Sequence, residues 1–321
     1  MWLNRTSFAI SGALALAQAV AGPAPAQDYP SKKITVVVGF APGGGVDTLA
    51  RVVAQELTGQ HGYQIVVENR PGAGSNIAAK IVATAAPDGY TVLFTGNSYA
   101  INQTLYRNPG YATEDLRPVV FAALDSQALV IAANHPAKTL GEFLAAAKQK
   151  PPNFGFGGSS SRIVAEYVLK VMAKTEAVAV PFQSGAPALN ALLGNHVEIL
   201  SSPIAEIVAH VQQGRLRALA VSGSRRHNTL PDVPTLSESG LPGLEIHGWI
   251  GILAPAKTPD DICAKLHAAV TAGVMKPAVN ERLRALGYDP NRMAFVDGAP
   301  FLKNSIETWR RMILATGMTI N

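Results

Sequence analysis

The residues with the clearest chemical potential form a glycine run, Phe40-Ala-Pro-Gly-Gly-Gly-Val-Asp47, between a β-branched apolar stretch and an amphipathic one. Three glycines in a row, Gly43, Gly44 and Gly45, leave main-chain N–H groups unshielded by side chains. If a helix begins there, those donors lie at the positive end of its dipole, and the loop is an anion cradle. Each helix-terminus contribution is roughly 0.3–1 kcal/mol and each hydrogen bond to a charged group roughly 1.5–3 kcal/mol. A few together reach micromolar affinity, about −8 kcal/mol. The same residues serve equally as a tight turn, with Asp47 an ordinary charge at a helix start. A dinucleotide fingerprint would need glycine where Thr48 stands, and a Walker loop would need a Gly-Lys-Ser/Thr ending that is absent.

Three further junctions are rich in glycine and hydroxyls. Gly155-Phe-Gly-Gly-Ser-Ser-Ser-Arg162 offers the amides of Gly158, the hydroxyls of Ser159, Ser160 and Ser161, and the Arg162 guanidinium, all suited to solvating a carboxylate. One capping serine in a pliable loop accounts for the pattern as well. Phe182-Gln183-Ser184-Gly185 places two side-chain donors before a helix, although Ser184 can serve as a cap. Arg70-Pro-Gly-Ala-Gly-Ser75 reads as a structural turn with Ser75 as N-cap. Ser201 and Ser202 close a strand, and Pro203 behind them makes Ser202 an N-cap candidate.

Catalytic groupings are scarce. The seven histidines show neither H-x-x-x-H nor H-E-x-x-H spacing, so no metal or other cofactor is expected. No serine lies in a G-x-S-x-G elbow. Cys263, the one cysteine, sits among apolar neighbours in a predicted helix and reads as core. His247, ahead of a strand-like run, is a packing residue or a cleft-lining one. No acid–base pair can be nominated, and the protein is expected not to be an enzyme.

The elements that position these loops alternate. Strands are predicted at Ile34–Gly39, Tyr63–Val67 and Tyr90–Thr95, with helices at Asp47–Leu57 and Ser75–Ala85 between them. A second set has strands at Ala128–Ala132, Asn153–Phe156, Ala177–Val180, Val197–Leu200 and Leu216–Val221. Its helices fall at Thr139–Gln149 (opened by a Thr139-x-x-Glu142 capping box), Ile163–Ala173, Pro187–Leu193 and Pro203–Gln212. The tail is helical at Pro259–Val274 (capped by Thr258), Ala278–Leu286 and Ala299–Ala315. Strand-like runs at Val119–Leu124 and Trp249–Leu253 mark crossings between two α/β domains, each a mostly parallel sheet flanked by helices.

Residues 1–26 hold one charge, Arg5, then an apolar run and Ala24-Pro25-Ala26, the pattern of a secretory signal peptide cleaved after Ala26. The domains are then expected at 27–124, 125–249 and 250–321, the last returning to the first. Net charge is +5, or +4 without Arg5, and the basic residues are scattered. That excludes a nucleic-acid surface and suits a small anion. A single cysteine forbids an internal disulfide.

Beyond these local readings, the chain resembles the solute receptors of tripartite tricarboxylate transporters, the Bug-type periplasmic binding proteins. The markers are Tyr29-Pro-Ser-Lys-Lys-Ile34, Phe40–Asp47, Glu68-Asn-Arg-Pro-Gly-Ala-Gly74, Pro87-Asp-Gly-Tyr90 and Val180-Pro-Phe-Gln-Ser-Gly-Ala-Pro-Ala-Leu189. Gly214–Ala220, Leu230-Pro-Asp-Val-Pro-Thr235, Gly240–Glu245, Trp249 and Ala254-Pro255 follow in order. The resemblance implies a two-lobed type II periplasmic fold with a ligand cleft between lobes, and a monomer that delivers a carboxylate to membrane transporter subunits without itself entering the membrane. It also implies that Phe40, Ala41, Gly43, Gly44, Gly45, Val46 and Asp47 hold a ligand carboxylate through amides and water. Ser98, Gly158–Arg162, Phe182–Gly185 and Ser202 would then approach from the rest of the cleft.

Against the family pattern, Val46 replaces a common threonine, Arg162 lies near a common histidine, and Ser201-Ser202 stand where an aspartate is frequent. An acid lost and an arginine gained favour a second anionic pole on the ligand, hence a dicarboxylate, tricarboxylate or aromatic carboxylate over an amino acid. A receptor for a sensor kinase and a secreted α/β hydrolase are the competing functions.

Overall fold

The protein is described here by a computed structural model covering residues 29–242 and 244–319. The expected signal peptide lies outside the described residues. The chain divides into a unit Met1–Ser31 and a unit Lys32–Asn321, and the fold belongs to the second.

The first sheet begins with β1 (Ile34–Val38), apolar on both faces and almost entirely buried, as a strand covered by helices on two sides must be. It leads into helix α1 (Gly45–His61), which buries Leu49, Ala50, Val52, Val53 and Leu57 along one face and ends at Gly62 in the left-handed conformation. Then come β2 (Ile65–Asn69), α2 (Asn76–Ala83), β3 (Thr91–Gly96), α3 (Ser98–Leu105) and β4 (Leu116–Asp125). The chain enters the second sheet at β5 (Gln127–Ala132), followed by α4 (Leu140–Gln149), β6 (Asn153–Phe156), α5 (Ser159–Glu166), β7 (Val178–Pro181), α6 (Gly185–Leu193), β8 (Ile199–Pro203), α7 (Ile204–Gln212) and β9 (Leu216–Val221). It returns through β10 (Gly248–Pro255) to α8 (Asp260–Val274), α9 (Pro277–Ala285), β11 (Asp289–Pro290) and α10 (Gly298–Thr316).

The sheets have orders β11-β4-β10-β3-β1-β2 and β7-β6-β8-β5-β9. In the first, β1 to β4 run one way while β10 and β11 oppose them. In the second only β5 opposes the rest. Two of the strands that break the parallel pattern, β5 and β10, are the first after each crossing between the sheets. This is the two-lobed α/β arrangement, with a cleft between the lobes. β10 is buried along its whole length, and Trp249 anchors it. The Trp249 ring meets Phe121 edge-on at 4.9 Å and its Nε1 donates to Ser305 Oγ at 3.0 Å, so the polar tip of a buried indole is satisfied.

Several expected caps shift, each for a local reason. The β8 ladder to β5 continues through Ser202 and Pro203, so Pro203 takes the N-cap position and Ser202 is a strand residue. Pro259 likewise precedes α8, leaving the Thr258 hydroxyl buried without a partner. Ser75 stands before α2 at φ 81 and makes no side-chain cap bond. Thr139 does accept from the Glu142 amide at 3.1 Å, but Glu142 reaches back to the Lys138 amide. Helix α5 starts at Ser159, four residues before Ile163, and runs on as a π-helical segment, Tyr167–Met172. Two elements carried no readable signal: α3, whose polar and apolar residues are mixed, and the two-residue β11.

Candidate functional site

The first-strand loop is a built structure. Asp47 is 2% exposed, and its carboxylate accepts from the Gly43 amide (2.9 Å), Arg51 Nε (2.9 Å) and Asn69 Nδ2 (2.8 Å). Asn69 also donates to the Phe40 carbonyl at 3.0 Å, so β2 braces the loop from behind. Burial pushes the Asp47 carboxyl up, but the hydrogen bonds from Arg51, Gly43 and Asn69 outweigh it and hold the group below its usual range. Asp47 is therefore the strut of the loop.

This arrangement narrows the anion cradle. The Gly43 amide is taken by Asp47, and the Gly44 amide points to the Ala41 carbonyl at 3.4 Å. The Gly44 carbonyl receives Thr48 N–H, so α1 starts at Gly45 and the amides of Gly45, Val46 and Asp47 have no acceptor inside the helix. Ala41 through Gly45 are exposed, while Phe40 and Val46 are half-buried. The amides without an intrahelical acceptor thus lie one step along the chain from the glycines that suggest a cradle.

Beside the loop, three hydroxyls line up. Ser75 Oγ lies 3.2 Å from Thr95 Oγ1, which lies 3.4 Å from Ser98 Oγ. A side chain on Gly39 would collide with Ser75, so the ends of β1 and β3 close tightly around this serine. Ala73 and Ser75 both have positive φ, a cost the surroundings must hold in place. Asn102 of α3 does so, donating from Nδ2 to the Gly74 carbonyl (2.8 Å) and to Asn76 Oδ1 (2.7 Å). The turn read as purely structural therefore supplies a strained hydroxyl beside Ser98.

In the second lobe, α5 and α6 start side by side, since a side chain on Gly157 would run into the Ser184–Gly185 peptide. Gly158 caps α5 through its backbone and is exposed, and Ser159 and Ser160 are half-buried in its first turn. Ser161 is buried, its hydroxyl donating to Gln127 Oε1 at 3.4 Å, an acceptor shared with Ser201 at 3.3 Å. Arg162 pairs with the buried Glu166 at 3.0 Å and lies over the Phe156 ring at 5.3 Å. Gln183 and Ser184 are exposed, and Ser184 makes no side-chain cap bond, which leaves its hydroxyl available. The half-buried Phe182 ring covers Gly155.

Ser202 leads to residues the sequence did not suggest. It donates to Glu206 Oε2 at 2.9 Å, and a side chain on Gly185 would strike that same carboxylate, so Glu206 sits at the start of α6. Glu206 is exposed, yet the protein around it desolvates its carboxyl and pushes it up, against the pull of Ser202. At the end of β4, Asp125 has one carboxyl oxygen buried with no hydrogen-bond partner. Burial, then the neighbouring Glu206, push Asp125 up to about 7. Tyr288, buried just before β11, is raised by burial and by both acids, and a side chain on Gly45 would meet its hydroxyl. Gly287 approaches Ala205 so closely that an added Cβ would lie 2.7 Å from the Ala205 Cα. A continuous path therefore runs from Gly45 of the first lobe through Tyr288 to Asp125, Glu206, Ser202 and Gly185.

Other reactive groups lie apart from this path. Burial raises the Cys263 thiol and lowers His210, His227 and His247. Among the described residues no group of three or more His, Cys, Asp or Glu could hold a metal ion. Among them, too, no helix is long and apolar enough to cross a membrane.

A family model described as the tripartite tricarboxylate transporter family receptor matches residues 49–318. The chain is 31% identical over 326 residues to Protein BugT of Bordetella pertussis, covering 98% of this chain and 99% of that protein. Two solved structures superpose along nearly their full length. The R. palustris protein Rpa4515 with adipate gives a TM-score of 0.81 at 30% identity, covering 91% of this chain and 99% of that one. MatC from Rhodopseudomonas palustris with bound malate gives 0.77 at 32%, covering 89% and 100%.

Proposed function

The chain belongs to the tripartite tricarboxylate transporter receptor family, and from that premise we propose that it is a periplasmic solute-binding protein that captures a small carboxylate between its lobes and delivers it to membrane transporter subunits. Residues 27–124 and 250–321 form one lobe in this reading and 125–249 the other, a division supported by which strands share a sheet. The observation that carries the proposal is the open first turn of α1. Gly45, Val46 and Asp47 present amides without intrahelical acceptors, on a loop braced by the Asp47 network. Ser75 packs against Gly39 at the end of β1 and leads through Thr95 to the Ser98 hydroxyl, and Ser159, Ser160, Gln183 and Ser184 supply donors from the second lobe. Affinity and hinge closure are the whole mechanism, and the protein performs no chemistry on its cargo.

Arg162 and Ser202, the residues that favoured a second anionic pole, are both engaged by glutamates. The carboxylate end of the ligand therefore has the firmer support: adipate and malate in the two superposed proteins are both carboxylates.

Thermal unfolding and calorimetry of the mature chain with adipate, malate, citrate and benzoate test the proposal. A ligand at 100 times its Kd stabilises the native state by about 2.7 kcal/mol, a readable rise in Tm. If no carboxylate raises Tm, and native mass spectrometry of fresh protein finds no bound carboxylate, the receptor reading is wrong.

A further inference from the structure

We propose that Asp125 and Glu206 select ligands that carry a protonated amine or comparable cationic donor opposite the carboxylate. This deepens the carboxylate-receptor reading and depends on it. The two acids stand at the far end of the path that begins at the open α1 turn. Tyr288 links the ends, its hydroxyl against Gly45 and both acids near enough to act on it. Glu206 is open to solvent, whereas one oxygen of Asp125 is buried and lacks any partner, so the pair holds both an accessible acceptor and an unsatisfied one. Ser202 satisfies one Glu206 oxygen.

The surrounding charges give no other answer to this need. Arg225 and Arg284 are engaged by Asp289, whose strand pairs with Leu124, at 3.1 and 3.6 Å, and Arg117 on β4 pairs with Asp260 at 2.6 Å. Arg162 and Lys170 both face Glu166. Glu206 acts on Asp125, Ser202 is bonded to Glu206, and both acids act on the buried Tyr288; none of these groups is cationic. A second ligand carboxylate there would be a third negative charge beside two acids that have no cationic partner, whereas an ammonium donates to the orphaned oxygen and offsets both acids. Without ligand the pair retains a proton near neutral pH. A cationic ligand displaces it, so binding releases a proton and tightens as pH rises; an anionic second pole does the reverse.

The experiment is calorimetry on the mature wild-type chain with ω-amino carboxylates of three to six carbons, each against the dicarboxylate of equal length. Runs near pH 6 and near pH 8, in buffers of different ionisation enthalpy, count the protons exchanged. An amino member is expected to bind at least about tenfold tighter than its dicarboxylate match, with proton release and higher affinity near pH 8. Glu206→Gln should remove about tenfold or more of that preference, and Asp125→Asn, a second isosteric variant, should suppress the proton release. Thermal melts verify that each variant folds. Dicarboxylates binding more tightly than amino carboxylates, with proton uptake, overturn the inference and leave the receptor reading intact. Saturable binding of no carboxylate at all overturns both.

Discussion

Two helix starts at the proposed cleft each have an acid beside them, and the two acids live in opposite circumstances. Asp47 at α1 is buried, accepts three hydrogen bonds and pairs with Arg51, so it is ionised and satisfied. Glu206 at α6 has one serine donor and no cation; burial raises it, and it in turn helps raise a second acid, Asp125. Equal chemistry in the side chain gives a strut in one lobe and an unmet demand in the other. The contrast teaches that a completed network marks scaffold, whereas a charge left short of partners marks a place reserved for something else.

The comparison breaks most visibly at Asp47. Asp47→Ala strands the Gly43 amide, Asn69 and Arg51 together, a loss of about 3 kcal/mol, since removing one partner of a buried network costs more than its bonds contribute. Tm should fall by about 6–10 °C, and carboxylate affinity should fall with it because the α1 turn loses its brace. The Asp47 carboxyl is held below its usual range, so its contribution is present at neutral pH and lost as pH falls through the folded-state value, below about 3.9. Acid titrations of stability should show a shallower loss in the variant than in the wild type.

Asp125 runs the other way. Its carboxyl is raised to about 7, so ionising it penalises the native state as pH climbs from about 4 through 7. Urea denaturation of unliganded wild type should therefore show stability declining between pH 5 and 8, and Asp125→Asn should flatten that decline and be the more stable form near pH 8 by about 1 kcal/mol. A variant as pH-dependent as the wild type would remove Asp125 from the comparison. A change of similar size, with no consequence for binding, belongs to Thr139 at the start of α4. Thr139→Ala deletes the bond to the Glu142 amide and should cost about 1 kcal/mol with no change in ligand affinity, a control that separates stability from binding.

The alternation of strands and helices, the runs at which the chain passes into and out of a second sheet, and the glycine loops at strand ends are legible in the residues alone. Those features are local: β-branched runs, helical periodicity and glycine punctuation act over a few residues, and the Phe40–Asp47 motif is contiguous. The sequence did not disclose that Asp47 occupies the Gly43 amide and moves the free donors to Gly45–Asp47, because Asn69, which completes that network, is 22 residues away. Nor did it show that Ser75, read as an N-cap, turns its hydroxyl to Thr95 on a strained backbone that Asn102 and Asn76 hold. Asp125, Glu206 and Tyr288 belong to a strand, a helix and a return segment that no spacing rule connects, and nothing near each of them hints at the others. Bringing three such groups together requires the chain to cross between sheets and come back. Only the tertiary structure could decide where their charges would meet.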